Sequence, residues 1–353
     1  MTTNIPGEKQ SFAARILTKG SLPRSVLGFA GRKITSKYKY YFLVGKISIS
    51  IGLITWLLMK SSLGDIWESL ITADLGIITL AFLLFFVNYY LNAVRWNLLL
   101  KAQNISAHTG FLVESIAISL FLNNFLPSTI GGDVYRMYDS WRLGSSKGVA
   151  VSVVLVDRAI GLFTLILYAL IASFFTPYIL ENVPYLNQLL IAAIICFTLA
   201  GWTIFSGNNR YLDHLSHYRD RYLRQIVCFL DKVSSSFCMF RGRSDVLMGT
   251  IGLSMLVHLT VFFVHLLIAV SLNIDVPMSA LFLIIPLSAI ILMLPVTING
   301  IGLREMTFVF LLSFFGIEQS QAIAFAWLSF GMTLLQGVIG GIVFLMRKPL
   351  TSY

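Results

Sequence analysis

Charge is the scarcest commodity in this chain. Only 12% of its 353 residues are Asp, Glu, Lys or Arg, against about 25% in soluble domains, which excludes an ordinary water-soluble globule. Three cysteines, Cys196, Cys228 and Cys238, supply neither a disulfide framework nor CxxC spacing. Five histidines, His214 and His217 among them, are too sparse for a zinc site. HExxH, the P-loop, the dinucleotide fingerprint and a DxD carboxylate pair are missing. The expectation is therefore no enzyme, no cofactor and no metal. No DNA or RNA motif accompanies the net charge of +10, so the basic excess marks membrane orientation and no nucleic-acid partner.

What is present is apolar sequence. Hydrophobic residues make up 57% of the chain and mean hydropathy is +0.80. Runs of spanning or near-spanning length lie at 42–59, 75–94, 109–126, 149–175, 187–206, 246–271, 279–294 and 320–346. Lipid offers backbone groups no partner except each other, so these runs are predicted as helices. Residues 1–41 carry eight Lys or Arg against the single acid Glu8. With no apolar core of signal-peptide length, they read as a basic cytoplasmic tail lying on an anionic leaflet or solvated beside it.

One phrase occurs twice behind an apolar run: LPSTIGGDVYR from Leu126 to Arg136 and LPVTINGIGLR from Leu294 to Arg304. Pro127, Gly131 and Gly132 in the first copy, and Pro295, Gly300 and Gly302 in the second, interrupt helices. Paired helix breaks in two halves point to a transporter's binding site. Ordinary Pro/Gly kinks are the bland alternative.

Counting cations sets the topology. If all eight runs crossed, 12 Lys or Arg would lie on each side, contrary to the positive-inside rule. If runs three and seven dip in and return, 22 lie inside and only Lys60 and Arg304 remain outside. The prediction is an all-α polytopic membrane protein in a cytoplasmic (plasma) membrane with both termini inside. It is built as an inverted repeat, each half having two spans, a re-entrant hairpin and a third span. The first unit covers 42–206, with its hairpin at 109–148 and the 187–206 span opening the second unit. A basic cytoplasmic loop follows at 207–245, then the second unit at 246–346 with its hairpin at 279–316, and a short tail at 347–353. At 18 residues the 109–126 run is also long enough to cross.

Arg136 and Arg304 hold equivalent places past the two breaks, where a guanidinium can receive a phosphate bidentately. Snorkelling or an ion pair with Asp133 is the alternative for Arg136. Asp157 and Arg158 sit inside a span, where an unpaired charge costs about 2.5–3.5 kcal/mol on insertion scales. As helix neighbours they point apart, so each requires a partner elsewhere, with Asp133, Glu305 and Glu114 as candidates. These acids are assigned to gating or charge coupling and Arg158 to phosphate binding, with a purely structural ion pair as the alternative. Asn88, Asn92, Asn123 and Asn124 read as interhelical glue or the wall of a polar cavity, and His258 and His265 as bundle packing. The GVIGG run at 337–341 permits close helix approach.

The segment NNFLPSTIGGDVYR, followed by Asp157-Arg158 and then LPVTINGIGLRE, resembles the lysylphosphatidylglycerol synthase transmembrane-domain family of flippase-like membrane proteins, over residues 40 to 348. That resemblance implies movement of aminoacylated or other anionic lipids between leaflets, some relatives being linked to polyprenyl-phosphate sugar transfer. By position it carries over Pro127, Gly131, Gly132, Asp133, Arg136, Asp157, Arg158, Pro295, Gly300, Gly302, Arg304 and Glu305. The synthase proper has a soluble aminoacyltransferase domain after its membrane part. This chain ends at Tyr353, so translocation is expected and synthesis is not. The leading expectation is a carrier of an anionic phospholipid or polyprenyl-phosphate-linked lipid, with envelope-lipid biosynthetic enzymes as further partners. The rivals are a membrane glycosyl- or aminoacyl-transferase acting on a lipid phosphate, with Asp133 or Glu305 as base, and a scaffold for envelope-lipid synthesis.

Overall fold

The computed structural model describes residues 36–125, 131–183, 185–206, 238–294 and 296–347. Pro127, Pro295, Cys228, residues 1–35 of the basic tail and most of the 207–245 loop lie outside the described residues. Every regular element among the described residues is a helix: α1 (Ser36–Met59), α2 (Leu63–Ile71), α3 (Leu75–Ala102), α4 (Thr109–Phe125), α5 (Gly131–Arg142), α6 (Lys147–Ser173), α7 (Pro177–Asn182), α8 (Leu186–Ser206), α9 (Ser244–Ser271), α10 (Met278–Leu292), α11 (Leu303–Ser313) and α12 (Gln319–Met346). The chain falls into two compact units, 1–46 and 47–353, with the boundary inside α1.

Four helices, α3, α6, α9 and α12, are long and apolar enough to cross a membrane. At 28 residues α3, α9 and α12 are each about 42 Å long, beyond the ~30 Å hydrocarbon thickness. A fifth candidate is the end of α1 from Val44 together with α2, bent by 89°. The chain is a multi-pass membrane protein. Leu80, Leu83, Val87, Val338 and Ile342 stay exposed on the outer helix surfaces, as a lipid-facing exterior requires.

α2 lies between the first two apolar runs. Ser62 caps it by accepting from Asp65 N–H (3.3 Å), Ile66 is buried, and Leu63, Trp67 and Ile71 line an exposed apolar face. An amphipathic helix turned through a right angle after a span suits the membrane interface.

The shorter helices α4 and α10, of 17 and 15 residues, are at or below the short end of spanning length. Each is followed by a break and another short helix, α5 of 12 residues and α11 of 11. The series α3–α4–α5–α6 is thus repeated in kind by α9–α10–α11–α12. Packing follows suit. α3 lies along α9, the most extensive helix pair, while α3·α4, α5·α6, α3·α6 and α4·α12 have counterparts in α9·α10, α11·α12, α9·α12 and α10·α6. The α4·α12 contact depends on the small-residue run. A Cβ on Gly340 would strike the Ala117 carbonyl, and one on Gly341 would lie 3.0 Å from the Phe121 ring, so any larger residue separates the helices.

Candidate functional site

α5 and α6 lie side by side, and their charges cross-pair. Asp133 and Arg136, three apart on α5, share one face. Asp157 and Arg158 are adjacent on α6 and diverge. Arg136 Nη2 lies 2.9 Å from Asp157 Oδ2, and Arg158 Nη2 lies 2.7 Å from Asp133 Oδ2. Each charge inside α6 thus finds its partner on another helix.

Asp157 takes a second guanidinium. Arg95 on α3 reaches it with Nε to Oδ1 at 2.8 Å and Nη2 to Oδ2 at 3.1 Å, while Nη1 donates to Ser254 Oγ on α9 at 3.0 Å. The Arg136 guanidinium also stacks on the Trp96 ring, 4.5 Å from its centroid, a cation–π contact that gains strength where water is excluded. Asp157 is 1% exposed. Two guanidiniums on one buried carboxylate, with Arg158 on Asp133, leave one positive charge in excess.

This convergence requires α5 to approach α4 closely, which explains Gly132. A Cβ there would collide with the Ser119 carbonyl. Instead the Gly132 N–H donates to Asn123 Oδ1 (2.8 Å) and its carbonyl accepts from Ser119 Oγ (3.0 Å).

The charged cluster forms one wall of a cavity of about 450 Å³, within the usual range for a small-molecule site. α3, α4, α5, α6, α9 and α12 all contribute to it. Arg95, Asp133, Arg136, Asp157 and Arg158 supply charge, Asn88, Asn92, Asn123 and Gln336 supply amides, and Phe85, Leu120, Leu162, Leu165 and Met293 supply apolar surface. Tyr89 OH donates to Gln336 Oε1 (2.6 Å). Arg136 Nε and Gln336 Nε2 are buried without a hydrogen-bond partner among the described residues, a costly condition that a ligand can relieve.

The second motif is built differently. The first copy is helical from Gly131, whereas the second stays irregular until Leu303, with positive φ at Asn299 (51°), Gly300 (77°) and Gly302 (83°). At Gly302 a side chain would also meet Leu53 Cβ at 2.8 Å and the Ser50 carbonyl at 3.0 Å, so glycine is needed twice over. Glu305 is buried and accepts from the Gly302 N–H (2.8 Å), which satisfies a donor at the start of α11. Arg304 lies over the Phe330 ring at 4.5 Å, with Nη2 3.4 Å from the Asn299 carbonyl. It is not among the residues that line the cavity. Asn299 Nδ2 donates to the Asn124 carbonyl at 2.5 Å, and Asn124 Nδ2 to the carbonyl of Thr333, a lining residue, at 2.8 Å. The second break therefore touches the end of α4.

Glu114 belongs to a separate cluster around Arg347. Its carboxylate lies 3.3 Å from Arg347 Nε, while Arg347 Nη1 reaches the fully buried Asp139 at 2.7 Å and Nη2 donates to Ser115 Oγ at 3.0 Å. This staple joins α4, α5 and the end of α12. His258 Nε2 lies 3.2 Å from both Thr164 Oγ1 and the Gly161 carbonyl, and His265 Nε2 lies 3.0 Å from Ser329 Oγ. No metal-holding group of His, Cys, Asp or Glu occurs among the described residues. Gly144–Gly148 reads GSSKG, the spelling of a hydrolase nucleophile elbow. Here Ser146 is exposed and caps α6, accepting from Val149 N–H (3.2 Å).

Sequence reasoning missed Arg95, Asp139, Arg347 and Gln336. Arg95 had a signal: apolar residues resume at Trp96 and Leu98–Leu100, so the helix continues past the charge. The other three gave none, since each is defined by a tertiary partner.

The sequence profile of the lysylphosphatidylglycerol synthase TM region matches residues 43–341. The UPF0104 membrane protein PH1989 of Pyrococcus horikoshii is 25% identical over 201 residues, 56% of this chain and 58% of that one. The UPF0104 membrane protein MJ1595 of Methanocaldococcus jannaschii is 26% identical over 166 residues, 46% of this chain and 49% of that one. The chain thus spans about half the length of the curated relatives it matches. No solved structure matches it. It belongs to the family of the lysylphosphatidylglycerol synthase TM region.

Proposed function

From this membership and the charged cavity, we propose that the protein translocates an anionic phospholipid or polyprenyl-phosphate-linked lipid between leaflets. The observation that carries the reading is the cavity wall where three guanidiniums meet two carboxylates. A lipid phosphate supplies the missing charge. Arg136, already stacked on Trp96, receives it, and Asp157 holds Arg136 and Arg95 together until the phosphate arrives. The apolar wall accommodates the start of the acyl or prenyl chains.

In this reading the two units are inverted repeats with re-entrant hairpins, both termini lie in the cytoplasm, and Arg304 serves the opposite leaflet. The matching helix pairings and the contact of the second break with the end of α4 support that arrangement. Non-helical backbone at membrane depth requires a protein or cavity environment, which the second break has against Ser50 and Leu53. Its orientation is testable through Cys238, which an impermeant thiol reagent labels from the cytoplasmic face; labelling from outside would overturn the inversion.

Transport is tested by reconstituting the full chain in liposomes with fluorescent phosphatidylglycerol and following quenching of the outer leaflet. The chain should accelerate exchange, and Arg136→Ala and Arg304→Ala should each slow it by about tenfold or more, as expected when a charge-assisted contact of ~1.5–3 kcal/mol is lost. If neither substitution changes the rate, the phosphate-receiver reading fails.

A further inference from the structure

Resting on that reading, we propose that the cavity selects a lipid phosphate bearing an uncharged, hydroxyl-rich headgroup and rejects an aminoacylated one. The lipid that gives the family its name carries one phosphate and two ammonium groups, and would bring net positive charge. The carboxylates of the wall are already paired with arginines. Asp157 sits in ion pairs with both Arg95 and Arg136, and Asp133 in one with Arg158, so the wall carries one guanidinium more than it has carboxylates. An arriving ammonium would face three guanidiniums, and like charges at close range in a poorly screened site reduce affinity steeply.

Two unmatched donors on the wall point the same way. Arg136 Nε and Gln336 Nε2 are both donors, and each calls for an acceptor oxygen. An ammonium has none to offer, whereas phosphate and hydroxyl oxygens do. The remaining polar wall, Asn88, Asn92 and Asn123, carries amides able both to donate and to accept, a chemistry suited to hydroxyls. Phosphatidylglycerol and a polyprenyl-phosphate sugar share this headgroup chemistry.

The test is a lipid competition on the full chain in detergent, read by native mass spectrometry. Equal concentrations of phosphatidylglycerol, lysyl-phosphatidylglycerol and a polyprenyl-phosphate hexose are offered, with phosphatidylcholine as reference. At least one of the two hydroxyl-bearing lipids is expected to bind about tenfold or more tightly than the lysyl lipid, and which of them does so identifies the source. Gln336→Glu keeps an acceptor for Tyr89 OH and replaces the orphan donor with negative charge. It should reduce the preference to about threefold or less. Should that variant fail to fold, the wild-type competition decides alone. Equal or tighter binding of the lysyl lipid overturns the selectivity and leaves lipid translocation standing. If no lipid binds above phosphatidylcholine, the translocation reading falls, and this inference with it.

Discussion

The halves α3–α6 and α9–α12 share a frame and differ in what they place at its centre. Asp157 is the eleventh residue of α6 and Ser329 the eleventh of α12. Arg95 and His265 are the twenty-first and twenty-second residues of α3 and α9. The first half joins its spans with the ion pair Arg95–Asp157, the second with the hydrogen-bonded pair His265–Ser329 at 3.0 Å. A neutral pair therefore suffices to hold the same helix junction. Buried ion pairs seldom outperform neutral packing, since desolvation offsets their attraction. The charge of the first half consequently calls for an explanation beyond stability, and the adjoining cavity supplies one.

Substitution at the two junctions should expose the difference most strongly. Asp157→Asn leaves two largely enclosed guanidiniums sharing a neutral amide and is expected to cost about 3–5 kcal/mol, measured as loss of unfolding stability in detergent. Ser329→Ala removes one hydrogen bond within the membrane and should cost only about 0.6 kcal/mol. Equal losses would erase the distinction between the halves. Asp139→Asn, which strips Arg347 of its buried partner, should cost about 3 kcal/mol, and the second half contains no matching site among the described residues.

Glycines at the breaks sharpen the contrast. Gly132→Ala drives a methyl into a backbone carbonyl that cannot yield, so α5 must retreat, at about 1–3 kcal/mol and with loss of the Arg136–Asp157 contact. Gly300→Ala meets a Leu292 methyl at 2.9 Å, which can move, and is left chiefly with the strain of positive φ, about 1 kcal/mol. Thermal unfolding of the two variants should rank them in that order. Glu114→Gln should change stability little, by about 0–1 kcal/mol, because that carboxylate is half exposed.

Much of this frame was legible in the residues. Apolar run length located the four spans α3, α6, α9 and α12, and the glycines of the two motifs lie where α5 and α11 begin, because lipid makes those constraints local. The 187–206 run, however, forms no helix long and apolar enough to cross among the described residues. Asp157 and Arg158 were identifiable as needing partners on other helices, since helix neighbours point apart. The identity of the partners was not. Asp133 and Arg136 suit an internal pair by spacing, yet both turn to α6, where opposite charges lie closer to hand. Arg95 was hidden because a charge at the end of an apolar run looks like the end of the span, whereas α3 continues to Ala102. The aligned arginines were also less equivalent than their spacing implies. The first helix restarts at Gly131, which carries Arg136 more than a turn into α5, while the strained Asn299–Gly302 segment delays α11 and leaves Arg304 at its start.

The central claim is that a lipid phosphate takes over the place that Asp157 holds at Arg136. Thermal unfolding of wild type and Asp157→Asn, each with and without phosphatidylglycerol in the detergent micelle, tests it most directly. A ligand that binds the folded state stabilises it in proportion to its affinity, and the variant lacks the competing carboxylate. The account predicts a larger lipid-induced rise in melting temperature for Asp157→Asn than for wild type. An equal or smaller rise would contradict it.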